Sequence, residues 1–290
     1  VRKRRSLLSI LFTASLWGAA LPAFGQALVP HVLELDPLRM EQQGLFLAQE
    51  AVQLAQFQQF DLALTRAQLA SQLAPESPQV WLLLGRLYLQ QEDYDQSLSA
   101  ILKARTLDPQ DPAALFDLGS LYFRQGQYER AARSLEDGLK VSPTVPGALF
   151  DLGNTYFKLE RYDEAIAQYE KAVELDETFW PAINNVGLVL YEQGDVDGAV
   201  DYWEEAADLT DSEEAEPLLA IAVALYAEGD QDAAIAAGES ALELDSRYAD
   251  LDFLAENLWG ARLLEDTQMF LALPAIRETL ARVGPPPEVQ

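Results

Sequence analysis

Five carboxylates crowd into nine residues in DLTDSEEAE, positions 208–216. Asp208, Asp211, Glu213, Glu214 and Glu216 are hard oxygen donors, and the chemistry such a run suggests is a Ca²⁺ or Mn²⁺ site. A cation site needs carboxylates that converge. No spacing here enforces convergence, so a solvated loop is the expectation and no metal ligand is assigned. Other chemistries fall away by composition. Cysteine is absent and His31 is the single histidine, which removes thiolate nucleophiles, disulfides and histidine-based metal or acid–base sets. His31 lies between Pro30 and Val32 and is expected at the surface. There is no Ser/His/Asp set, no glycine-rich phosphate loop and no HExxH. The chain is expected to be no enzyme and to carry no cofactor. Its net charge of −27 repels phosphate backbones, so nucleic acid is not an expected partner.

What remains is a set of aromatic and cationic side chains that comes twice. FDLGSLYFRQGQYERA, starting at Phe116, returns as FDLGNTYFKLERYDEA, starting at Phe150, 34 residues on. Phe116, Phe123 and Arg124 recur as Phe150, Phe157 and Lys158. The elements that must position them extend in both directions. Trp81, Leu84, Gly85 and Tyr88 are followed by Ser97, Ile101, Ala104 and Pro109. The same order of aromatic, apolar and small residues returns around Gly119, Gly153 and Gly187.

This pattern, W-x-x-L-G-x-x-Y and then small, apolar, small and proline at a 34-residue period, resembles the tetratricopeptide (TPR) family. The resemblance implies an all-α fold, a right-handed TPR superhelix of helix-turn-helix units with C-terminal capping helices. Six units are expected, at 44–77, 78–111, 112–145, 146–179, 180–213 and 215–248. The period slips by one residue inside the acidic run. Each unit is a pair of helices, A and B, joined by a turn such as Gln125-Gly126-Gln127. Small residues stand where A and B cross, and Pro75, Pro109 and Pro143 close the B helices. One hairpin cannot bury its own apolar face, so units stack.

In the TPR family ligands lie in a groove lined by the A helices. Carrying that over by position gives the candidate partner-binding residues Leu82, Arg86, Phe116, Phe123, Arg124, Phe150, Asn154, Phe157, Lys158 and Tyr191. An aromatic stripe edged by the few cations of an acidic chain suits an amphipathic or extended segment of a partner protein. The carboxylate clamp that reads a C-terminal EEVD-like peptide is not expected. It needs a cation and an asparagine where Ala48 and Val52 stand in the first unit.

The ends carry the remaining signals. VRKRR, then the apolar run Leu7–Leu21, then PAFGQA make the basic, apolar and small-residue layout of an export signal. Residues 1–27 are expected to be an export signal, cleaved or kept as a membrane anchor. Arg4-Arg5 admits the twin-arginine route as well as the general one. Residues 28–43 read as a linker or short lead-in helix, 249–283 as capping helices, and 284–290 as a disordered tail. Together with the acidic array and the ending ENLWGARLLEDTQMFL, the N-terminal signal resembles cyanobacterial TPR proteins of photosynthetic membranes. That group includes a partner of light-dependent protochlorophyllide oxidoreductase and photosystem assembly factors. The resemblance implies a bacterial protein exported to the periplasm or thylakoid. Its expected role is a scaffold that assists assembly or stabilisation of a membrane-associated protein. An envelope adaptor and a divalent-metal carrier are the alternatives.

Overall fold

The computed structural model describes residues 36–284. The expected export signal, His31 and the far end of the tail lie outside the described residues. Those described are all α-helical apart from turns, with no strand among them.

Six hairpins follow one another. They are α1 (Pro37–Gln56) with α2 (Phe60–Leu73), α3 (Pro78–Gln90) with α4 (Tyr94–Leu107), and α5 (Ala113–Arg124) with α6 (Tyr128–Val141). Then come α7 (Pro146–Lys158) with α8 (Tyr162–Leu175), α9 (Trp180–Gln193) with α10 (Val196–Leu209), and α11 (Ala215–Glu228) with α12 (Gln231–Leu244). The first element of each pair is helix A and the second helix B. Each B helix also packs on the next A helix. This is the array of paired helices that the repeat implies.

The crossing of A and B is fixed by a size match. A Cβ added to Gly119 would stand 2.5 Å from Cγ of Leu135, and one on Gly153 2.5 Å from Cε1 of Tyr169. Gly85 meets Ile101 and Gly187 meets Trp203 in the same way. The B-helix residue therefore grows from Ile101 to Trp203 along the chain, while the A-helix position stays bare. Those four large side chains are all essentially buried.

Each A–B turn holds one residue at positive φ: Gln58, Glu92, Gly126, Glu160, Gly194 and Gly229. Three are not glycine, so the turn geometry is imposed by the packed helices rather than by residue choice alone. Asp93, Asp195 and Asp230 then open their B helices by accepting from the backbone N–H three residues on, the usual N-cap arrangement.

Two boundaries are refined and one expectation is corrected. Helix α1 begins at Pro37 rather than in the region of Gly44. Proline is tolerated in a first helical turn, and LRMEQQ (38–43) is built of good helix formers. The extra residue of the acidic run is absorbed by consecutive left-handed residues, Asp211 and Ser212, at φ 51° and 56°. The run is not all solvated loop, because Glu216 lies half-buried in the first turn of α11, with its carboxylate turned to Trp259 and Tyr248.

After a 3₁₀ turn at Ser246–Ala249 come α13 (Leu251–Glu256), α14 (Ala261–Leu271) and α15 (Pro274–Val283). Helix α15 packs on α12, placing Ile276 in the core. Thr279 donates to Glu239 at 2.9 Å and Arg282 to Glu243 at 2.5 Å. Helix α14 instead packs on the A helices α9 and α11.

Candidate partner-binding groove

The A helices present their groove-side residues in register, and a ladder of polar pairs runs between them. Arg86 on α3 donates through Nε to both carboxylate oxygens of Asp117 on α5, at 2.8 and 2.9 Å. Ser120 on α5 donates to Asp151 on α7 at 3.3 Å. Asn185 on α9 donates through Nδ2 to Asn154 on α7 at 3.0 Å. Each pair joins the ninth position of one unit to the sixth of the next. The ladder stops at both ends, where Val52 with Leu83 and Leu188 with Ala220 occupy the same positions.

An open cavity of about 450 Å³ sits on this ladder, lined by Arg86, Leu89 and Gln90 of α3, Asp117, Ser120, Phe123 and Arg124 of α5, and Asp151 and Asn154 of α7. A second, of about 690 Å³, adjoins it through Phe123 and Arg124 and extends to Lys158 and to Asp252, Ala255 and Glu256 of α13. Burial raises the Asp117 carboxyl above its ordinary range, against the opposing pull of Arg86. Burial pushes Asp151 up to about 6, with the charge of Asp117 adding to the effect. Lys158 is lowered by burial, and its Nζ reaches only the carbonyl of Ala255, at 3.4 Å.

Of the ten candidate residues, Arg86, Phe123, Arg124 and Asn154 line the first cavity, and Lys158 joins Phe123 and Arg124 at the second. The other five stand elsewhere. Leu82 is a core residue beside Ile101 and Leu118. Phe116 lies on Gly138 of α6, filling the space that a Cβ there would need. Phe150 packs on Tyr169 and Phe179, with ring centroids 5.8 and 5.2 Å away. Phe157 is buried against Tyr162. Tyr191 is fully buried, and its hydroxyl donates to Asp266 of α14 at 2.7 Å.

The reason is helical geometry. Neighbouring residues on a helix point about 100° apart, so the phenylalanines of the two FDLG segments turn into the seam with helix B. The aspartates beside them face the groove. Asp117 and Asp151 were missed by carrying positions over from the family. The signal was there to read: a carboxylate kept at 34-residue spacing inside an otherwise apolar stretch.

Tyr191 is buried because the chain fills its own groove downstream of α7. Helix α14 lies on the groove positions of units five and six. Its first turn has no side-chain cap of its own. Glu192 supplies one from α9, accepting from the N–H of Arg262 at 3.2 Å and of Leu263 at 3.0 Å. Arg262 stacks over the Tyr191 ring and donates to its carbonyl at 3.0 Å. Phe270 packs on Tyr226 and occupies the space left bare at Gly238 of α12. Beside it, Glu216 accepts from the Trp259 indole at 3.1 Å and the Tyr248 hydroxyl at 3.4 Å. Burial pushes that carboxyl up to about 7.

Among the described residues no group of three or more His, Cys, Asp or Glu is arranged to hold a metal ion, and no helix is long and apolar enough to cross a membrane.

Comparison with known proteins adds the following. Residues 39–178 match a family model described as the TPR domain of cytochrome c-type biogenesis protein H, and residues 187–249 match a tetratricopeptide-repeat model. A search of curated proteins finds no match. Among solved structures the chain is similar to MamA, at 25% identity over 57% of this chain and 96% of that one, TM-score 0.51. It is similar in fold to PilW, a type IV pilus biogenesis factor, at 19% identity over 71% and 95%, TM-score 0.65. It is also similar in fold to PilF of Pseudomonas aeruginosa, at 16% identity over 84% and 99%, TM-score 0.61.

Proposed function

We propose that this tetratricopeptide-repeat protein is a non-catalytic scaffold that receives a segment of another protein in the groove of units two to four. One observation carries the reading: the A-helix groove is open there, with Phe123 on its wall, while the chain's own α14 fills it at units five and six. TPR domains bind protein segments, and a cavity with an apolar wall and a few placed polar groups is the form such sites take. The match of residues 39–178 to a cytochrome c-type biogenesis TPR domain favours an assembly role. The matched stretch covers the units whose groove is open. The layout of residues 1–27 supports an exported protein, working in the periplasm or thylakoid on a membrane-associated client. A photosynthetic client is the finer form of the reading, supported by the combined resemblance of the N-terminal signal, the acidic array and the C-terminal sequence.

Phe123 is the residue to test. It lines both cavities, and its half-buried ring packs on the margins of two core clusters and on Tyr128. Phe123→Ala is expected to fold with unchanged helical content and to lose most of the partner recovered by affinity purification from the native membrane. A folded variant that recovers the partner at wild-type yield excludes the groove of units two to four.

A further inference from the structure

The ladder contains an internal comparison. Asp117 and Asp151 hold the same position in consecutive units, yet their partners differ. Asp117 receives Arg86, whose Nε lies 2.8 and 2.9 Å from its two oxygens. Where Arg86 stands in one unit, the next has Ser120. The Ser120 hydroxyl lies 3.3 Å from Asp151 and also 3.3 Å from the carbonyl of Phe116. One hydroxyl proton cannot serve both, so Asp151 receives at most a long, shared hydrogen bond. Among the described residues no cation pairs with it. Arg124, the other cation of the cavity lining, reaches Glu92 at 3.6 Å instead. Asp151 is half-buried, and a carboxylate partly withdrawn from water without a counter-charge gains from a charge-assisted pair.

Resting on the groove reading above, we infer that the cavity between units three and four takes an arginine or lysine side chain of the bound protein segment, its cation seated on Asp151 as Arg86 is seated on Asp117. Phe123 supplies the wall for the aliphatic stem or for a flanking apolar residue. The source of the cation is a partner protein, and the net charge of −27 brings basic segments to the surface before the groove selects among them. The raised proton affinity of Asp151 accords with this, since it marks a carboxylate whose charge the fold leaves uncompensated.

Selection of a displayed library of random 12-residue peptides on the full-length protein tests this. The expected result is a pool in which arginine or lysine recurs at one position beside apolar residues. A synthetic peptide from that pool is expected to bind at least ten-fold more weakly to Asp151→Asn. Ser120→Arg should weaken it to a similar degree, by building the Arg86-type pair inside the protein. Citrulline in place of the arginine should do the same on the wild-type protein. General attraction to an acidic surface predicts otherwise, because Asp151→Asn removes one of 47 acidic residues. Circular dichroism checks that each variant is folded. Peptides that need Phe123 yet bind Asp151→Asn as tightly as wild type overturn the cation site and leave the groove standing. Peptides indifferent to Phe123→Ala, or a library that yields no binder, overturn both.

Discussion

A Cβ on Gly187 would stand 2.5 Å from Nε1 of Trp203, whose N–H donates to the carbonyl of Asn184 at 3.1 Å. The indole is fully buried and rigid, so it has nowhere to go. At Gly85 the nearest atom is Cγ1 of Ile101, a side chain that can change rotamer. Gly187→Ala should therefore lower stability by about 1–3 kcal/mol, and Gly85→Ala by less. Urea denaturation midpoints of the two variants measure this, and equal losses would contradict the size-match account. These glycines were legible from sequence, because four consecutive units repeat them and a repeat tolerates little at its crossings. The groove residues were only partly legible. Phe123, Arg124 and Lys158 project where the family resemblance puts them, whereas Phe116 and Phe150 turn into the A–B seam and leave the groove to Asp117 and Asp151. A one-residue step on a helix moves a side chain by about 100°, and composition alone does not say which neighbour faces which surface.

The segment from α13 to α14 is expected as part of the cap at 249–283, and α14 lies instead on the A helices α9 and α11. Its Leu251, Leu254 and Leu258 have helical spacing, and that spacing suits a cap over the last unit as well as a helix laid in the groove. The choice is made by particular contacts: Glu192 capping α14, Phe270 filling the space at Gly238, and Trp259 and Tyr248 covering Glu216. Helix α15 takes the cap position on α12 instead. The burial of Glu216 makes docking of this segment pH-dependent. Its carboxyl titrates near 7 in the fold, above the ordinary 4.5. The folded state thus holds a proton that the unfolded chain releases. The stability it contributes is complete below about pH 4.5 and is lost as pH rises through about 7, a change on the order of 3 kcal/mol at most. Asp151, pushed up to about 6, adds a smaller change of the same sign. Amide hydrogen exchange in α13 and α14 should be slower at pH 5 than at pH 8, after correction for intrinsic rates. Glu216→Gln keeps an acceptor for the Trp259 indole and should remove most of the difference. A difference that survives in Glu216→Gln assigns it to other groups.

Over the whole array, six paired-helix units share one groove that the fold treats in two ways. Units two to four leave it open and line it with Arg86, Asp117, Ser120, Phe123, Asp151 and Asn154. Units five and six close it with the chain's own α14. The number of units and their 34-residue register were legible in the sequence, because stacking forces every unit to keep the same small and large positions. The division of the groove was not, since it depends on a segment outside the repeat. The central claim is that the open part holds a partner segment. Photo-cross-linking in the cell of origin tests it most directly, with p-benzoylphenylalanine placed at Phe123 in the groove or at Leu102, an exposed residue on helix B of unit two. The groove position is predicted to give a discrete polypeptide adduct that Leu102 does not give. Equal adducts at both positions, or none at Phe123, would contradict the account.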